Sequence, residues 1–181
     1  KLGNQIIDLE GLANHKGSAF GGIGQKEQPT VEQFENNLHS VWRKLDLSKP
    51  IWVEDESHNI GKVKIPMQFF NQIRNSKLYF LNIPKNERAK FLVSEYANRN
   101  TEMLKESILR ISKRLGDLNT KKSIQLLDEE KFYEVALISL HYYDKFYLKG
   151  MKKRNNKVVQ IKFSSTDHLK NALEIEKMAI I

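Results

Sequence analysis

Two groups of acidic side chains stand where α/β proteins commonly do chemistry. Asp8 and Glu10 follow the apolar run Gln5-Ile6-Ile7, and Glu54, Asp55 and Glu56 follow Ile51-Trp52-Val53. If both runs are parallel strands, the acids fall at their carboxyl ends, where loops and helix N-termini converge and anionic ligands bind. A carboxylate there can orient water or hold magnesium beside a phosphate. Asp8, Glu54 and Asp55 are therefore candidate catalytic residues and candidate magnesium ligands, with Glu10 and Ser57 as candidate substrate contacts. One such acid alone is more often a solvated loop residue; two clusters at successive strand ends leave both readings open.

The glycine-rich stretch Asn14-His15-Lys16-Gly17-Ser18-Ala19-Phe20-Gly21-Gly22-Ile23-Gly24 joins a cation, an imidazole, a hydroxyl and glycines that let backbone N–H groups approach an anion. His15, Lys16, Ser18 and Gly21 are its candidate phosphate contacts. Neither G-x-G-x-x-G nor G-x-x-x-x-G-K-[ST] occurs in the chain, so no motif supports nucleotide binding. Arg88, one turn into a helix that follows a third strand, could clamp a phosphoryl group or pair with a surface carboxylate. In Tyr142-Tyr143-Asp144-Lys145-Phe146-Tyr147, Tyr143 and Phe146 are expected in the core, and Tyr142 and Tyr147 are candidate stacking partners for a base. Lys152, Lys153 and Arg154 form a dense basic stretch suited to a phosphate backbone, or a solvated linker. The five histidines are scattered, with no pair spaced for a transition metal.

The elements that must position these residues follow from periodicity. Thr30 and Gln33 match a capping box, and Val31, Phe34, Leu38, Val41 and Leu45 recur on one helical face. Strands are expected at Gln5 to Glu10, Ile51 to Val53, Leu78 to Ile83 and Val158 to Phe163, with helical patterns between them. Leu104, Ile108, Ile111 and Leu115 line one helix that Gly116 ends, and Phe132 to Tyr147 forms another. The expected fold is α/β, a mostly parallel sheet of the P-loop NTPase type with helices on both faces and an inserted helical subdomain, its first strand missing. The expected division is a core of residues 1–98 with 157–181, and a helical part with a basic linker over 99–156.

Composition narrows the classes. With 181 residues, 40% of them hydrophobic and including nine Phe, the chain can bury one core of ordinary size. A net charge of +8 and a pI near 9.5 favour polyanionic partners. The absence of cysteine excludes disulfides, thiolate metal sites and cysteine nucleophiles within this chain. No apolar run approaches the ~20 residues of a membrane helix, and no signal-peptide pattern opens the chain, so a cytoplasmic location without a membrane partner is expected.

Taken together, residues 7–21, Gln28-Pro29-Thr30, Phe34-Glu35-Asn36, residues 52–57, Ile60-Gly61 and Ile65-Pro66 resemble the second half of tRNA 2-selenouridine synthases. Lys113-Arg114-Leu115-Gly116 and Tyr142-Tyr143-Asp144-Lys145 with Tyr147 extend the resemblance nearly to Gly150, and Lys16 stands where arginine is expected. The resemblance implies an enzyme that joins a rhodanese-like domain, bearing a catalytic cysteine, to a P-loop domain. Such an enzyme replaces the sulfur of wobble 2-thiouridine with selenium from selenophosphate through an S-geranyl intermediate made from geranyl diphosphate. The rhodanese cysteine and the phosphate loop are absent from this sequence, which is expected to be a fragment, inactive alone, that contributes tRNA and phosphate contacts, with Tyr142 and Tyr147 meeting a nucleotide or the prenyl group. A lost central strand would leave an apolar edge, so homodimerisation or strand exchange is expected, with tRNA and a rhodanese-like domain or chain as partners. Competing classes are a small-molecule kinase or ATPase and a non-catalytic RNA-binding module.

Overall fold

The computed structural model describes residues 2–152, 154 and 158–179. The chain forms two compact units, Lys1–Ser76 and Lys77–Ile181.

In the first unit β1 (Gln5–Ile7) and β2 (Ile51–Val53) pair in parallel, with Gln5 opposite Ile51 and Ile7 opposite Val53. The expected first strand stops three residues early because Asp8 caps a short helix, α1 (Leu9–Ala13): its Oδ1 accepts the Gly11 N–H at 2.7 Å. The helix ends at Asn14, in the left-handed region with φ of 48°. In α2 (Val31–Trp42) the Thr30 hydroxyl accepts the Gln33 N–H at 3.1 Å, as the capping pattern requires. Gln33 does not complete the box, since its amide donates to Asn37 instead. A hairpin of β3 (Asn59–Ile60) and β4 (Val63–Lys64) leads to α3 (Met67–Asn75). Ile7, Leu9, Phe34, Ile60, Val63 and Ile65 are essentially solvent-free and form the core between the parallel pair, α1, α2 and the hairpin.

The second unit is built on β5 (Leu78–Asn82) and β6 (Val158–Lys162), parallel and in register over five pairs from Leu78–Val158 to Asn82–Lys162. Between them run α4 (Lys85–Tyr96), α5 (Thr101–Arg110), α6 (Ser112–Leu115), α7 (Asp117–Asp128) and α8 (Phe132–Lys152). The single helix expected to carry Leu104 to Leu115 is broken at Ile111, where φ is −99° and ψ is 6°, yet Leu104, Ile108, Ile111 and Leu115 are all buried as the spacing requires. α4 packs on α8 through Ala89, Ala136 and Leu140. In α9 (His168–Ala179) Asp167 caps the N-terminus by accepting the Lys170 N–H at 3.0 Å, and Leu169 and Leu173 are exposed.

The architecture is α/β with parallel strand pairs. One continuous, mostly parallel sheet is not formed: the described strands make three two-stranded sheets, two parallel and one an antiparallel hairpin. Three-residue strands offer few ladder bonds, and the alternation of apolar runs with helices cannot say which runs pair. Among the described residues no helix is long and apolar enough to cross a membrane.

Candidate functional site

The parallel register that sets Ile7 beside Val53 also brings the residues just beyond β1 and β2 together. The Leu9 N–H donates to Glu54 Oε2 at 3.0 Å, and the Glu54 and Asp8 carboxyls share a hydrogen bond. Glu10, in the first turn of α1, hydrogen-bonds Glu56. Four carboxyl groups, Asp8, Glu10, Glu54 and Glu56, thus gather at one end of the parallel pair, with the Lys16 ammonium near Glu10 as a counter-charge.

Crowding of like charges in a partly dry setting displaces their protonation. Burial, reinforced by the Glu56 and Asp8 charges and opposed by Lys16, pushes Glu10 up to about 7. Burial also raises Glu54, against the stabilising Leu9 N–H, and raises Glu56, against hydrogen bonds from Glu10 and the Ser57 N–H. Glu10 therefore keeps its proton up to near neutrality beside Glu56.

Asp55 faces elsewhere. Its carboxylate meets Arg74 Nη1 at 3.1 Å, and the Arg74 guanidinium lies over the Phe70 ring. Glu54 and Glu56 thus meet residues of α1, while Asp55 between them meets Arg74. An alternation of sides along Glu54-Asp55-Glu56 would group Glu56 with Glu54, but it does not say which side meets α1. The trio Asp8, Glu54 and Asp55 is not assembled, and among the described residues no group of three or more His, Asp or Glu is arranged to hold a metal ion.

The glycine-rich loop lies beside these acids. Glu56 occupies the space a Cβ on Gly17 would need, and Gly17 has φ of +68°, so only glycine fits there. Much of the loop's polar capacity is engaged internally. The Lys16 N–H donates to Gly21 O, Ser18 N–H to Lys16 O, Gly21 N–H to Ser18 O and Ile23 N–H to Phe20 O, and the Ser18 hydroxyl accepts the Phe20 N–H at 3.2 Å. The His15 ring packs against the backbone of Gly21, Gly22 and Gly61, which leaves no room for side chains at Gly21 and Gly61. The Ser57 hydroxyl donates to Asn59 O at 2.6 Å. In this loop, Lys16 is the residue whose side chain brings positive charge toward the acids.

Arg88 belongs to the second unit, where Asp144 receives both guanidinium nitrogens at 2.7 and 3.0 Å and Ile83 O accepts from Nε. Tyr142 is 6% exposed and accepts a hydrogen bond from Arg114 at 3.3 Å, whereas Phe146, expected in the core, is 46% exposed. Tyr147 is exposed, with its ring 6.5 Å from that of Phe80. Lys152 ends α8, Arg154 is half-buried just beyond it, and Lys153 lies outside the described residues.

The family model described as the tRNA 2-selenouridine synthase AAA domain matches residues 1–178. The chain belongs to this family. It is similar to a tRNA 2-selenouridine synthase of Hydrogenovibrio crunogenus, 31% identical over 86% of this chain and 49% of that protein. One from Shewanella sediminis is also 31% identical, over 86% and 50% respectively. One from Nitrosomonas europaea is 42% identical over 50% of the chain and 24% of that protein. The chain thus spans about half the length of most of these relatives. No solved structure matches.

Several residues that carry the likeness to tRNA 2-selenouridine synthases do structural work that sequence reasoning missed. Gln28 is a strap: its amide donates to Ala13 O at 3.1 Å and Ile60 O at 2.9 Å, and its carbonyl accepts the Lys62 N–H at 2.8 Å, tying α1 to the hairpin beneath the glycine-rich loop. Asp144 holds Arg88, and buried Tyr142 packs 4.9 Å from both Tyr143 and Phe146. No composition or charge signal points to Gln28, because a glutamine that grips three backbone groups looks like any polar loop residue.

Proposed function

We propose that this chain is the phosphate-handling portion of a tRNA-modifying enzyme that converts wobble 2-thiouridine to 2-selenouridine with selenophosphate, through an S-geranyl intermediate. The family match over residues 1–178 carries this reading. A rhodanese-like domain or chain would supply the cysteine chemistry that a sequence without cysteine cannot. The same reading takes the fold as P-loop NTPase type, with residues 99–156 as a helical part set into a core of 1–98 and 157–181.

Geranylation of the thiouridine sulfur forms an S–C bond as the C–O bond of geranyl diphosphate breaks. Diphosphate leaves with the electron pair, and the nucleobase loses its ring N–H proton. A base poised near neutrality serves that proton transfer best, and we assign the role to Glu10, held up to about 7 by burial and Glu56. Asp8 and Glu54 orient the end of α1, and Lys16 offers its ammonium to a phosphate oxygen, with His15, Ser18 and Gly21 shaping the loop that carries it. Arg88, in the second unit, is proposed as a phosphate contact of that unit, set in place by Asp144.

The test uses the complete protein and thiolated tRNA, with the modified nucleosides measured by mass spectrometry. Glu10→Gln is expected to slow geranylation about 100-fold or more, the scale of a lost general base. Lys16→Ala is expected to raise the apparent KM for the diphosphate substrate. Wild-type turnover by both variants refutes the assignment.

A further inference from the structure

The exposed end of α8 carries a surface that the reading above does not use. Residues 145–149 are all exposed, so this half of the helix projects into solvent. Phe146 is 46% exposed, an unusual place for a phenylalanine flanked by charge. The Arg114 guanidinium lies 6.0 Å from the centre of its ring, and Arg114 is itself anchored by donating to the Tyr142 hydroxyl at 3.3 Å. Tyr142, buried beneath, packs 4.9 Å from the Phe146 ring and fixes its orientation. The result is a planar cation over an aromatic ring, both on exposed residues and both anchored on buried Tyr142.

Charge around this pair is one-sided. At 3.6 residues per turn, Lys145 and Lys149 share the helical face of Tyr142 and Phe146, while Asp144 falls on the opposite face. Asp144 is taken there by Arg88 and Lys85. Among the described residues Lys113, Lys145 and Lys149 form no ion pair. Along the chain the acids nearest Lys113 and Arg114 are Glu106, which pairs with Arg110 at 3.5 Å, and Asp117 at the start of α7. Arginine and aromatic planes are what unpaired bases stack on, and flanking ammonium groups suit the phosphates on either side.

We propose that Phe146 and Arg114 form a stacking platform for an unpaired RNA base, with Lys113, Lys145 and Lys149 as contacts to the flanking phosphates. This rests on the reading that the chain handles tRNA, and moves the aromatic contact from Tyr142, which is a buried buttress, to Phe146. A protein partner could also use an exposed aromatic, but a surface of several lysines outside ion pairs around a flat ring matches single-stranded nucleic acid better.

The whole chain is titrated with a fluorescein-labelled RNA hairpin bearing an unpaired loop, and with a fully paired RNA duplex of equal length, over a range of salt. Phe146→Ala is expected to weaken hairpin binding about 10-fold, leave duplex binding and the salt slope unchanged, and be rescued by Phe146→Trp. Lys149→Ala is expected to weaken both RNAs and reduce the salt slope by about one. Phe146 is exposed, so its variants should keep the wild-type unfolding transition. If the wild-type chain binds the hairpin but Phe146→Ala and Arg114→Ala bind it equally well, the platform is wrong while the tRNA reading stands. Equal weakening of hairpin and duplex by Phe146→Ala also overturns it, because stacking needs an unpaired base. If the chain binds neither RNA even at low salt, the tRNA contact proposed for this part of the enzyme fails together with the platform.

Discussion

Replacing Glu10 by glutamine should stabilise the first unit at alkaline pH and leave it unchanged at acid pH. Glu10 is displaced upward, from an ordinary 4.5 to about 7, by burial and by the neighbouring Glu56 and Asp8 charges. The folded chain therefore binds this proton more tightly than the unfolded chain. Its contribution is complete below about 4.5 and is lost as pH rises through about 7. At about 1.36 kcal/mol per pH unit the displacement from 4.5 to about 7 sets an upper bound of about 3.4 kcal/mol. Glu10 is only half-buried, and screening by water lowers the expected loss to about 1 to 1.5 kcal/mol. Glutamine has no proton to lose and keeps an amide to donate to Glu56. Urea unfolding at pH 5 and pH 8 measures the difference. Both tryptophans, Trp42 and Trp52, lie in the first unit, so their fluorescence reports on it. Wild type and variant should coincide at pH 5 and separate by about 1 kcal/mol at pH 8, with less separation at high salt. A separation equal at both pH values, or a variant less stable at pH 8, would show that Glu10 is not crowded by the other carboxyls.

Gln28→Ala removes hydrogen bonds to Ala13 O, Ile60 O and Lys62 N–H, and should cost about 2 to 3 kcal/mol in the same fluorescence assay. Asp8→Ala loses the cap on α1, at about 1 kcal/mol, but also removes a negative neighbour of Glu54; its cost should be smaller at pH 8 than at pH 5. Asp144→Ala leaves Arg88 without its bidentate partner and should lower second-unit stability by about 2 kcal/mol, read by circular dichroism on heating. Asp55→Asn, which loosens the Arg74 contact, should cost about 1 kcal/mol or less and leave the pH dependence assigned to Glu10 intact.

The chain's local order is written in its residues. Thr30 and Gln33 mark the start of α2, the apolar runs mark β1, β2, β5 and β6, and Asp8, Glu10 and Glu54 are identifiable as acids just past strand ends. The likeness to tRNA 2-selenouridine synthases was also visible there, since motif residues at fixed spacings need no coordinates. Tertiary structure decided what those residues meet. Whether Asp55 or Glu56 joins the acidic cluster depends on which side of an extended segment faces α1, and whether Tyr142 or Phe146 is buried depends on how α8 rolls against α4 and α6. Arg88 found Asp144, 56 residues away, and the strands found partners in separate pairs rather than one sheet. Periodicity records which residues share a face; it carries no information on what that face is pressed against, because that is settled by contacts between segments distant in the chain.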